Sequence, residues 1–337
     1  MVMANKIIVD AFGGDNAPLS NIQGAADAVK EYGVEIILVG KEQDILDCAK
    51  QNNISLEGIS IEHTDEVMDM HDTPTEILKS KKNTSLGLGL QMVAQGKGDA
   101  FVSAGSTGAL LVGATLIVKR IKGIKRPALA SLIPTPAGKY LLLDCGANAD
   151  CRPEMLMDFA LMGNEYMKRV EGLEHPRIGL LNVGTEDTKG DSLRLETYPL
   201  LKGSDYNFVG NVEARDVPNG ACDVLVADGF SGNVVLKLTE GVAVTFFGLI
   251  KKVMMSTLKT KIGALLMKKN LRGLKGLVDY SEHGGAPFLG VRAPVIKAHG
   301  SSNAKAIKNA IRQANTFAAS GLIQAVTIAA AEKREQN

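Results

Sequence analysis

The chain has 337 residues, 45% of them hydrophobic and 22% charged, so it is long enough to bury a large core. Its 38 Lys and Arg residues balance 37 Asp and Glu residues, which excludes the basic excess that is typical of nucleic-acid binding. Four scattered cysteines form neither a disulfide framework nor a zinc pairing, and the first ten residues lack a signal-peptide pattern, so we expect a reducing cytoplasm.

Short apolar, β-branched runs alternate along the chain with helix-like stretches. This alternation predicts an α/β fold with a mostly parallel sheet covered on both faces. We expect residues 1–337 to form one catalytic unit or two interleaved lobes. The predicted strands contain residues 7–9, 36–39, 59–61, 101–102, 141–143, 178–181 and 224–226. The predicted helices span residues 19–32, 42–51, 153–170 and 192–201, and a long one closes the chain over 303–333.

The uncharged stretch 100–118, "AFVSAGSTGALLVGATLIV", is nearly as long as a membrane span. Its small and polar centre suits a lipid-facing helix poorly, so we prefer a buried strand over 100–103, a turn over 105–108 and a buried helix over 109–118. The free N–H groups at the start of that helix would attract an anion. They belong to Ser106, Thr107 and Gly108.

Four further loops place an acid or an amide beside glycines where a predicted strand ends. They are "DAFGGDNAP" (10–18), "LLLDCGANAD" (141–150), "NVGTEDTKGD" (182–191) and "VADGFSGNV" (226–234). One such loop is often only a turn, but ligands bind beyond the carboxyl ends of parallel strands, and several loops together predict a site for a phosphate-sized anion. The candidate residues are Asp10, Gly13, Gly14, Asp15, Ser103, Gly105, Asn148, Gly184, Thr185, Ser231 and Gly232.

Near the C-terminus, "APVIKAHGSSN" (293–303) places two basic side chains on one predicted strand. Lys297 and His299 alternate along it and would share one face, which suits an anion. Ser301, Ser302 and Asn303 follow, and they also suit the cap of the closing helix. Lys82, in "LKSKKNTSLG" (78–87), is another candidate, although this basic stretch also fits a solvated helix face.

Familiar signatures of other enzymes are missing from the sequence. It contains no dinucleotide-binding G-x-G-x-x-G after a strand, no P-loop, no G-x-S-x-G nucleophile elbow and no H-E-x-x-H. Dinucleotide enzymes, P-loop NTPases and zinc proteases are therefore disfavoured.

The loop motifs above, together with "KKNTS", "SAGSTGAL", "IKGIKRPALA", "GLLNVGTEDTKG" and "GNVEARD", resemble the bacterial phosphate acyltransferase family of phospholipid synthesis, the PlsX proteins. The resemblance runs from residue 10 to 303. Two positions depart from the family pattern: Phe12 stands where Met is usual, and Ser106 stands where Asn is usual. The second departure removes a side-chain amide and leaves the backbone donors of that loop.

The resemblance implies a three-layer α/β/α fold like that of isocitrate and isopropylmalate dehydrogenases and phosphotransacetylases. It implies a homodimer that converts acyl-[acyl-carrier-protein] and inorganic phosphate into acyl phosphate and free carrier protein, with no metal or organic cofactor. The acyl phosphate would pass to a membrane glycerol-3-phosphate acyltransferase. From the motif positions we expect Lys189, Lys297 and His299 to serve the anion and the oxyanion, with Asp228 and Asn233 orienting them.

Other interpretations stay open at this point. A phosphotransacetylase-like enzyme that uses acyl-coenzyme A would need the same fold and chemistry, and fold alone also allows a decarboxylating dehydrogenase. A non-catalytic lipid-binding scaffold belongs to a different class. Within an acyltransferase, a covalent route through Cys145 is conceivable, because Cys is a capable nucleophile.

Residues 241–280 have a basic amphipathic pattern, with a break near residues 256–261 that predicts a helical hairpin, and between Gly241 and Val278 all the charges are positive. Its eight basic residues are Lys251, Lys252, Lys259, Lys261, Lys268, Lys269, Arg272 and Lys275, and no acid interrupts them. A dimer interface, a docking surface for carrier protein and an anionic membrane surface all fit this pattern. We expect an inner half in the dimer interface and a tip that contacts the membrane through Leu258, Ile262, Leu265 and Leu266.

Overall fold

The computed structural model describes residues 4–69, 71–267 and 284–335, and its framework is an eleven-stranded sheet. The strands are β1 (Lys6–Asp10), β2 (Glu35–Gly40), β3 (Ile59–His63), β4 (Ala100–Ser103), β5 (Ala128–Thr135), β6 (Gly138–Leu143), β7 (Ile178–Asn182), β8 (Phe208–Glu213), β9 (Val224–Val226), β10 (Ala286–Leu289) and β11 (Val295–Lys297). Their order across the sheet is β3-β2-β1-β4-β11-β10-β5-β6-β9-β7-β8.

Helices follow most of the parallel strands, as in other α/β folds. They are α1 (Leu19–Tyr32), α2 (Glu42–Gln51), α3 (Ser85–Ala94), α4 (Thr107–Gly113), α5 (Pro153–Arg169), α6 (Ser192–Lys202), α7 (Gly229–Met254), α8 (258–267), α9 (Ala304–Ala319) and α10 (Leu322–Glu335). Short 3₁₀ turns lie at Pro74–Leu78 and Val217–Asn219, and a π-helical turn over Ala114–Lys119 extends α4. The predicted fold class, a mostly parallel α/β sheet, is confirmed.

The sheet contains two parallel blocks that run in opposite directions. One block is β3-β2-β1-β4-β11, and the other is β6-β9-β7-β8. Strands β10 and β5 join them through three antiparallel pairings, so the direction of the second block is reversed. A point where strand order or direction changes leaves a crevice between the flanking loops, and this is where α/β folds bind ligands.

Both faces of the sheet are covered, as alternation along single strands shows. Ile7 and Val9 pack in one apolar cluster whereas Ile8 packs in the other, and Leu142 likewise separates from Leu141 on the same strand. Because successive strand side chains point to opposite faces, the two clusters lie on opposite sides of the sheet. All five of these side chains are almost fully buried.

The predicted strands are all present, and α1 and α2 have the predicted bounds, but two features differ from expectation. Strands β5, β8 and β10 were missed, because Ser, Pro, Gly or Asn interrupts their apolar runs. The single closing helix is wrong: the chain bends by 52° between α9 and α10. Gly321 lies at this break with φ +69°, a left-handed conformation that ends a helix and favours glycine.

The stretch 100–118 is the predicted strand, turn and buried helix and not a membrane span. Among the described residues, one unbroken helix, α7, is long and apolar enough to cross a membrane by length and composition alone, and α9 with α10 passes only if the bent pair is counted together. Length and composition are weak evidence, because interface and core helices share them.

Candidate active site

A cleft of about 640 Å³ lies where the two blocks of the sheet meet, a size typical of small-ligand sites. One end is polar, and a wall of apolar side chains from β5 and α7 extends from it. Six predicted site residues line this cleft: Asp15, Thr107, Asn233, Lys297, His299 and Ser301. The apolar wall includes Leu132, Ile133, Pro134, Leu236 and Ala243.

The loops after β1 and β4 are joined beneath the cleft by two buried polar side chains. The hydroxyl of Ser103 donates to Oδ2 of Asp10 at 2.7 Å, and the N–H of Gly105 donates back to Ser103 Oγ at 3.0 Å. A Cβ on Gly13 would lie 2.5 Å from Asp10 Oδ2, so only glycine fits there. Asp10 and Ser103 are 2% and 1% exposed, so they shape the loops and do not face a ligand directly.

The first and last predicted loops are also bonded to each other. The N–H of Asp15 donates to the carbonyl of Gly300 at 2.8 Å, and the amide of Asn16 donates to the carbonyls of Ser301 and Ser302 at 3.2 Å each. Because these bonds involve mostly backbone, they fix the spacing of the two loops. The "DAFGGDNAP" and "KAHGSSN" motifs therefore form one polar floor.

Lys297 enters this floor from the end of β11. Its ammonium donates to the carbonyl of Ala104 at 3.1 Å and to the carbonyl of Ala298. Burial lowers the pKa of Lys297 to about 8, although the nearby Asp10 and Asp15 oppose the shift. Below that pH it presents a poorly hydrated positive charge, which is well suited to a phosphate or a developing oxyanion.

The imidazole of His299 is held by its own loop. Its Nδ1 accepts the N–H of Ser301 at 3.2 Å and lies 2.8 Å from Ser301 Oγ. Burial is the largest of the effects that lower its pKa, with the charges of Lys237 and Lys297 acting in the same direction. The ring is therefore neutral at pH 7, and because Nδ1 accepts a hydrogen bond, Nε2 carries the proton and is a donor.

The loop after β6 is organised by Asp144, a residue that the sequence analysis did not select. Its Oδ1 accepts the N–H groups of Leu129 and Ala147 at 2.9 and 3.1 Å, and its Oδ2 accepts the backbone and side-chain N–H groups of Asn148 at 2.6 and 2.9 Å. The Asn148 amide also donates to Pro127 O at 2.8 Å. Asn148 is therefore a brace of this loop. An acid that directly follows a buried apolar run was the available signal.

The first turn of α7 lies against the same loop. A Cβ on Gly232 would come within 1.9 Å of the Asp144 carbonyl oxygen, so this close approach requires glycine. The contact places Asn233 beside Gly146 at the cleft, with its side chain near the position that a Gly146 Cβ would occupy.

Asp228 caps α7 and pairs with a buried arginine. Its Oδ1 accepts the N–H of Ser231 at 2.8 Å, while Arg194 donates to Asp228 Oδ2 and, at 3.1 Å, to Ser231 Oγ. Burial alone would raise the pKa of Asp228, but the Ser231 bonds and the Arg194 charge outweigh it and lower the pKa. In this arrangement Asp228 contacts neither Lys297 nor His299. It caps the N-terminus of α7 and fixes that helix to Arg194.

The remaining candidates from the second block lie at a different groove, lined by β7 and the start of α7. Ser231 lines it. Lys189, Gly184 and Thr185 belong to the adjoining loop 183–191, where Asn182 donates to Lys189 O at 3.0 Å. Among the described residues, none of these four lines the central cleft, and neither does the exposed Lys82. The structure thus divides the predicted site into two groups.

Several candidates act as helix caps. Ser106 Oγ accepts the N–H of Ala109 at 3.5 Å, and Asn303 Oδ1 accepts the N–H of Ala306 at 3.0 Å. A Ser at position 106 thus caps α4, while Gly108 lies in its first turn.

Ser302 is 4% exposed, and its hydroxyl has no hydrogen-bond partner among the described residues. The loop glycine Gly14 has φ +97°, and a Cβ on it would lie 2.9 Å from Gly300 O.

Cys145 lines the cleft, but its chemistry opposes the covalent route. Its thiol donates to the carbonyl of Leu129 at 3.1 Å, and burial raises its pKa well above the ordinary value. A thiol that stays protonated is a poor nucleophile. We expect Cys145→Ala to keep acyl transfer within a few-fold of the wild type in a steady-state assay. A variant that folds normally but loses all turnover would instead support a covalent intermediate.

Two cleft residues were not anticipated. Lys237 and Glu240 line the cleft from α7, and Lys237 Nζ lies 2.9 Å from Glu240 Oε2. They continue the helical face of Asn233 at positions i+4 and i+7, a spacing that the sequence already contained. Lys237 lies just outside the basic stretch predicted over residues 241–280.

Metal ligands show no comparable grouping. In the part of the chain that the structure describes, no three His, Cys, Asp or Glu side chains are placed to hold a metal ion. The cationic groups in the cleft are those of Lys297 and Lys237.

Comparison with known proteins assigns the family. The family described as "Fatty acid synthesis protein" matches residues 5–325. The chain belongs to this family. Curated relatives are named phosphate acyltransferase: that of Oceanobacillus iheyensis (strain HTE831) is 52% identical over 310 residues, 92% of each chain. That of Clostridioides difficile (strain 630) is 48% identical over 334 residues, 98% of each chain.

The fold has solved counterparts. A phosphotransacetylase from Streptococcus pyogenes superimposes with a TM-score of 0.65 over 94% of each chain, at 18% identity. At this identity the likeness shows the fold alone. The close relatives are what make the chain an enzyme of the phosphate acyltransferase type, and the resemblance noted in its motifs is confirmed.

Proposed function

We propose that the chain transfers the acyl group of acyl-[acyl-carrier-protein] to inorganic phosphate. The observation that carries this proposal is the cleft itself, which joins a polar floor with the Lys297 ammonium and the His299 imidazole to an apolar wall of β5 and α7 residues. Phosphate fits the floor, and the start of an acyl chain fits the wall. The relatives' name, phosphate acyltransferase, supports the same reaction class.

The proposed chemistry needs little beyond positioning. A phosphate oxygen attacks the thioester carbonyl, an oxyanion develops on that carbonyl, and the carbon–sulfur bond then breaks. Hydrogen phosphate supplies the proton that the departing thiolate takes up, so the products are acyl phosphate and the free carrier-protein thiol. The ammonium of Lys297 and the Nε2–H of His299 supply the electrostatic stabilisation that such a transition state needs.

The pathway and the assembly are further parts of the proposal. We place the enzyme in the cytoplasm as a homodimer, peripherally associated with an anionic membrane, where a glycerol-3-phosphate acyltransferase takes the acyl phosphate toward phosphatidic acid. The exposed apolar side chains of α7, among them Leu238, Val242, Phe246 and Leu249, support a second copy as its partner. An apolar helix exposed along its whole length needs such cover.

One experiment tests the reaction. Purified protein, acyl-carrier-protein thioester and phosphate are expected to yield acyl phosphate, trapped with hydroxylamine as the hydroxamate, and omission of phosphate is expected to abolish it. Equal thioester loss with and without phosphate would identify a thioesterase and reject the proposal. Thioester binding without any turnover would support a lipid-binding scaffold.

An acyl-coenzyme A donor is the alternative that the fold favours, because phosphotransacetylases share it. The same assay with both donors at equal concentration separates the two. We expect the carrier-protein thioester to give the higher kcat/KM, and a reversed preference would assign a phosphotransacetylase-like activity.

A further inference from the structure

Among the described residues that line the cleft, positive and negative charges are equal in number. Lys237 and Lys297 supply two positive charges, Asp15 and Glu240 supply two negative ones, and His299 is neutral at pH 7. A dianionic phosphate therefore meets no net positive field. A lysine that exchanged its present partner for the phosphate would supply a positive charge to it.

Lys297 is poorly placed to make that change. Its ammonium already donates to two backbone carbonyls, those of Ala104 and Ala298, at the end of a short strand. Lys237 differs in each respect. It belongs to α7, which follows β9 of the second block, and its side chain is 52% exposed. Among the described residues its ion-pair partner is Glu240, one turn further along the same helix.

We propose that Lys237 is a second phosphate-binding cation of the cleft, held by Glu240 in the free enzyme and transferred to the phosphate when it binds. This inference rests on the proposed function and identifies how the nucleophile is held. Four methylene groups and free rotation allow a lysine ammonium to swing between two such anions. Phosphate would then lie between Lys297, at the end of β11, and Lys237, on α7.

The electrostatics of the cleft agree with this placement. The charge of Lys237 contributes to lowering the pKa of both Lys297 and His299, after burial, which is the larger cause. Lys237 also lines the same cleft as those two residues, so one ligand can meet all three. The competing interpretation is a simple i,i+3 surface ion pair that contributes little to stability and has no function.

Opposite effects of the two partners distinguish these interpretations. We expect Lys237→Gln to raise the KM for phosphate roughly tenfold to hundredfold, the loss of one charge-assisted hydrogen bond, while the KM for the thioester changes little. We expect Glu240→Gln to lower the KM for phosphate, because the competing anion is gone. Lys237→Arg, which keeps the charge, is expected to recover most of the phosphate affinity.

The matched control is Lys251→Gln, a lysine of the same helix that does not line the cleft. The overturning results are an equal KM for phosphate in Lys237→Gln and Lys251→Gln, or a KM raised alike by Lys237→Gln and Glu240→Gln, which would mark a structural pair. Calorimetric titration with inorganic phosphate, without thioester, measures the same ranking independently of turnover. If the wild type and the variants bound phosphate in this order of affinity but the wild type formed no acyl phosphate, the proposed function would fail while the cation assignment stood.

Discussion

Replacement of Lys297 by methionine is expected to slow acyl phosphate formation by roughly 100- to 1000-fold, the usual loss for one preorganised donor to an oxyanion. Methionine has a similar length and no charge, so the loss would report the ammonium. The hydrogen-bond acceptors of Lys297 in the structure are the backbone carbonyls of Ala104, at 3.1 Å, and Ala298, so its replacement breaks no direct side-chain hydrogen bond. Initial rates of hydroxamate formation measure the effect.

The same residue predicts how activity depends on pH. Because burial lowers the pKa of Lys297 to about 8, its ammonium is present below that pH and is lost as the pH rises through it. The value of kcat/KM for phosphate reports groups of the free enzyme, so we expect it to fall above about pH 8 in the wild type. In Lys297→Met this alkaline limb is expected to disappear along with most of the activity.

Controls separate chemistry from folding in this experiment. Lys252→Met changes an exposed lysine of α7 outside the cleft and is expected to keep wild-type rates. Thermal unfolding of each variant verifies that it folds. If Lys297→Met and His299→Ala both folded and kept near-normal turnover, the assignment of the polar floor as the phosphate and oxyanion site would be wrong.

Much of the fold and part of the site follow from the sequence. The apolar runs identify seven of the strands because a strand buried on both faces has no polar side to interrupt it. The loops at residues 10–18 and 293–303 are also predictable as partners, since parallel strands bring their carboxyl ends to one edge. The bonds from Asp15 N–H to Gly300 O and from Asn16 to Ser301 O are how the structure joins them.

The rest depends on long-range pairing that a sequence pattern does not encode. The reversal of the second block rests on β5 and β10, whose interrupted patterns hide them. The loops 226–234 and 182–191 are divided between two sites: Asn233 lines the cleft, whereas Ser231, Gly190 and Asp191 line the neighbouring groove. Asp228 pairs with Arg194, and Lys189 belongs to the loop beside that groove, although their motifs resemble those that form the cleft.

The helices at the end of the second block carry two different exposed surfaces. Helix α7 has 26 residues, about 39 Å at 1.5 Å per residue, and a Cβ on Gly241 or Gly248 would meet no atom within 4 Å. Beyond the break at 255–257, α8 places four apolar side chains at positions i, i+4, i+7 and i+8, which form one face. They are Leu258, Ile262, Leu265 and Leu266, all exposed.

Basic residues lie on both sides of the break between α7 and α8. Lys251, Lys252, Lys259 and Lys261 cluster around the break, and the four other basic residues of the predicted field, Lys268, Lys269, Arg272 and Lys275, lie outside the described residues. Each Lys near an anionic bilayer contributes about 1 kcal/mol, and insertion of the apolar face adds to this. We therefore assign α7 to the dimer and the α8 face to the membrane, as separate proposals.

Ile262→Glu and Leu258→Glu are each expected to reduce flotation with anionic liposomes about tenfold, because a carboxylate replaces an inserted side chain worth roughly 1.5 kcal/mol or more. Acyltransferase activity in solution should persist, since neither residue lines the cleft. Ile328→Glu is the matched control: Ile328 is 52% exposed against 56% for Ile262, but it lies on α10. Dissociation of the dimer in sedimentation, with flotation unchanged, would move α8 to the subunit interface; lost turnover with flotation unchanged would move it to carrier-protein docking.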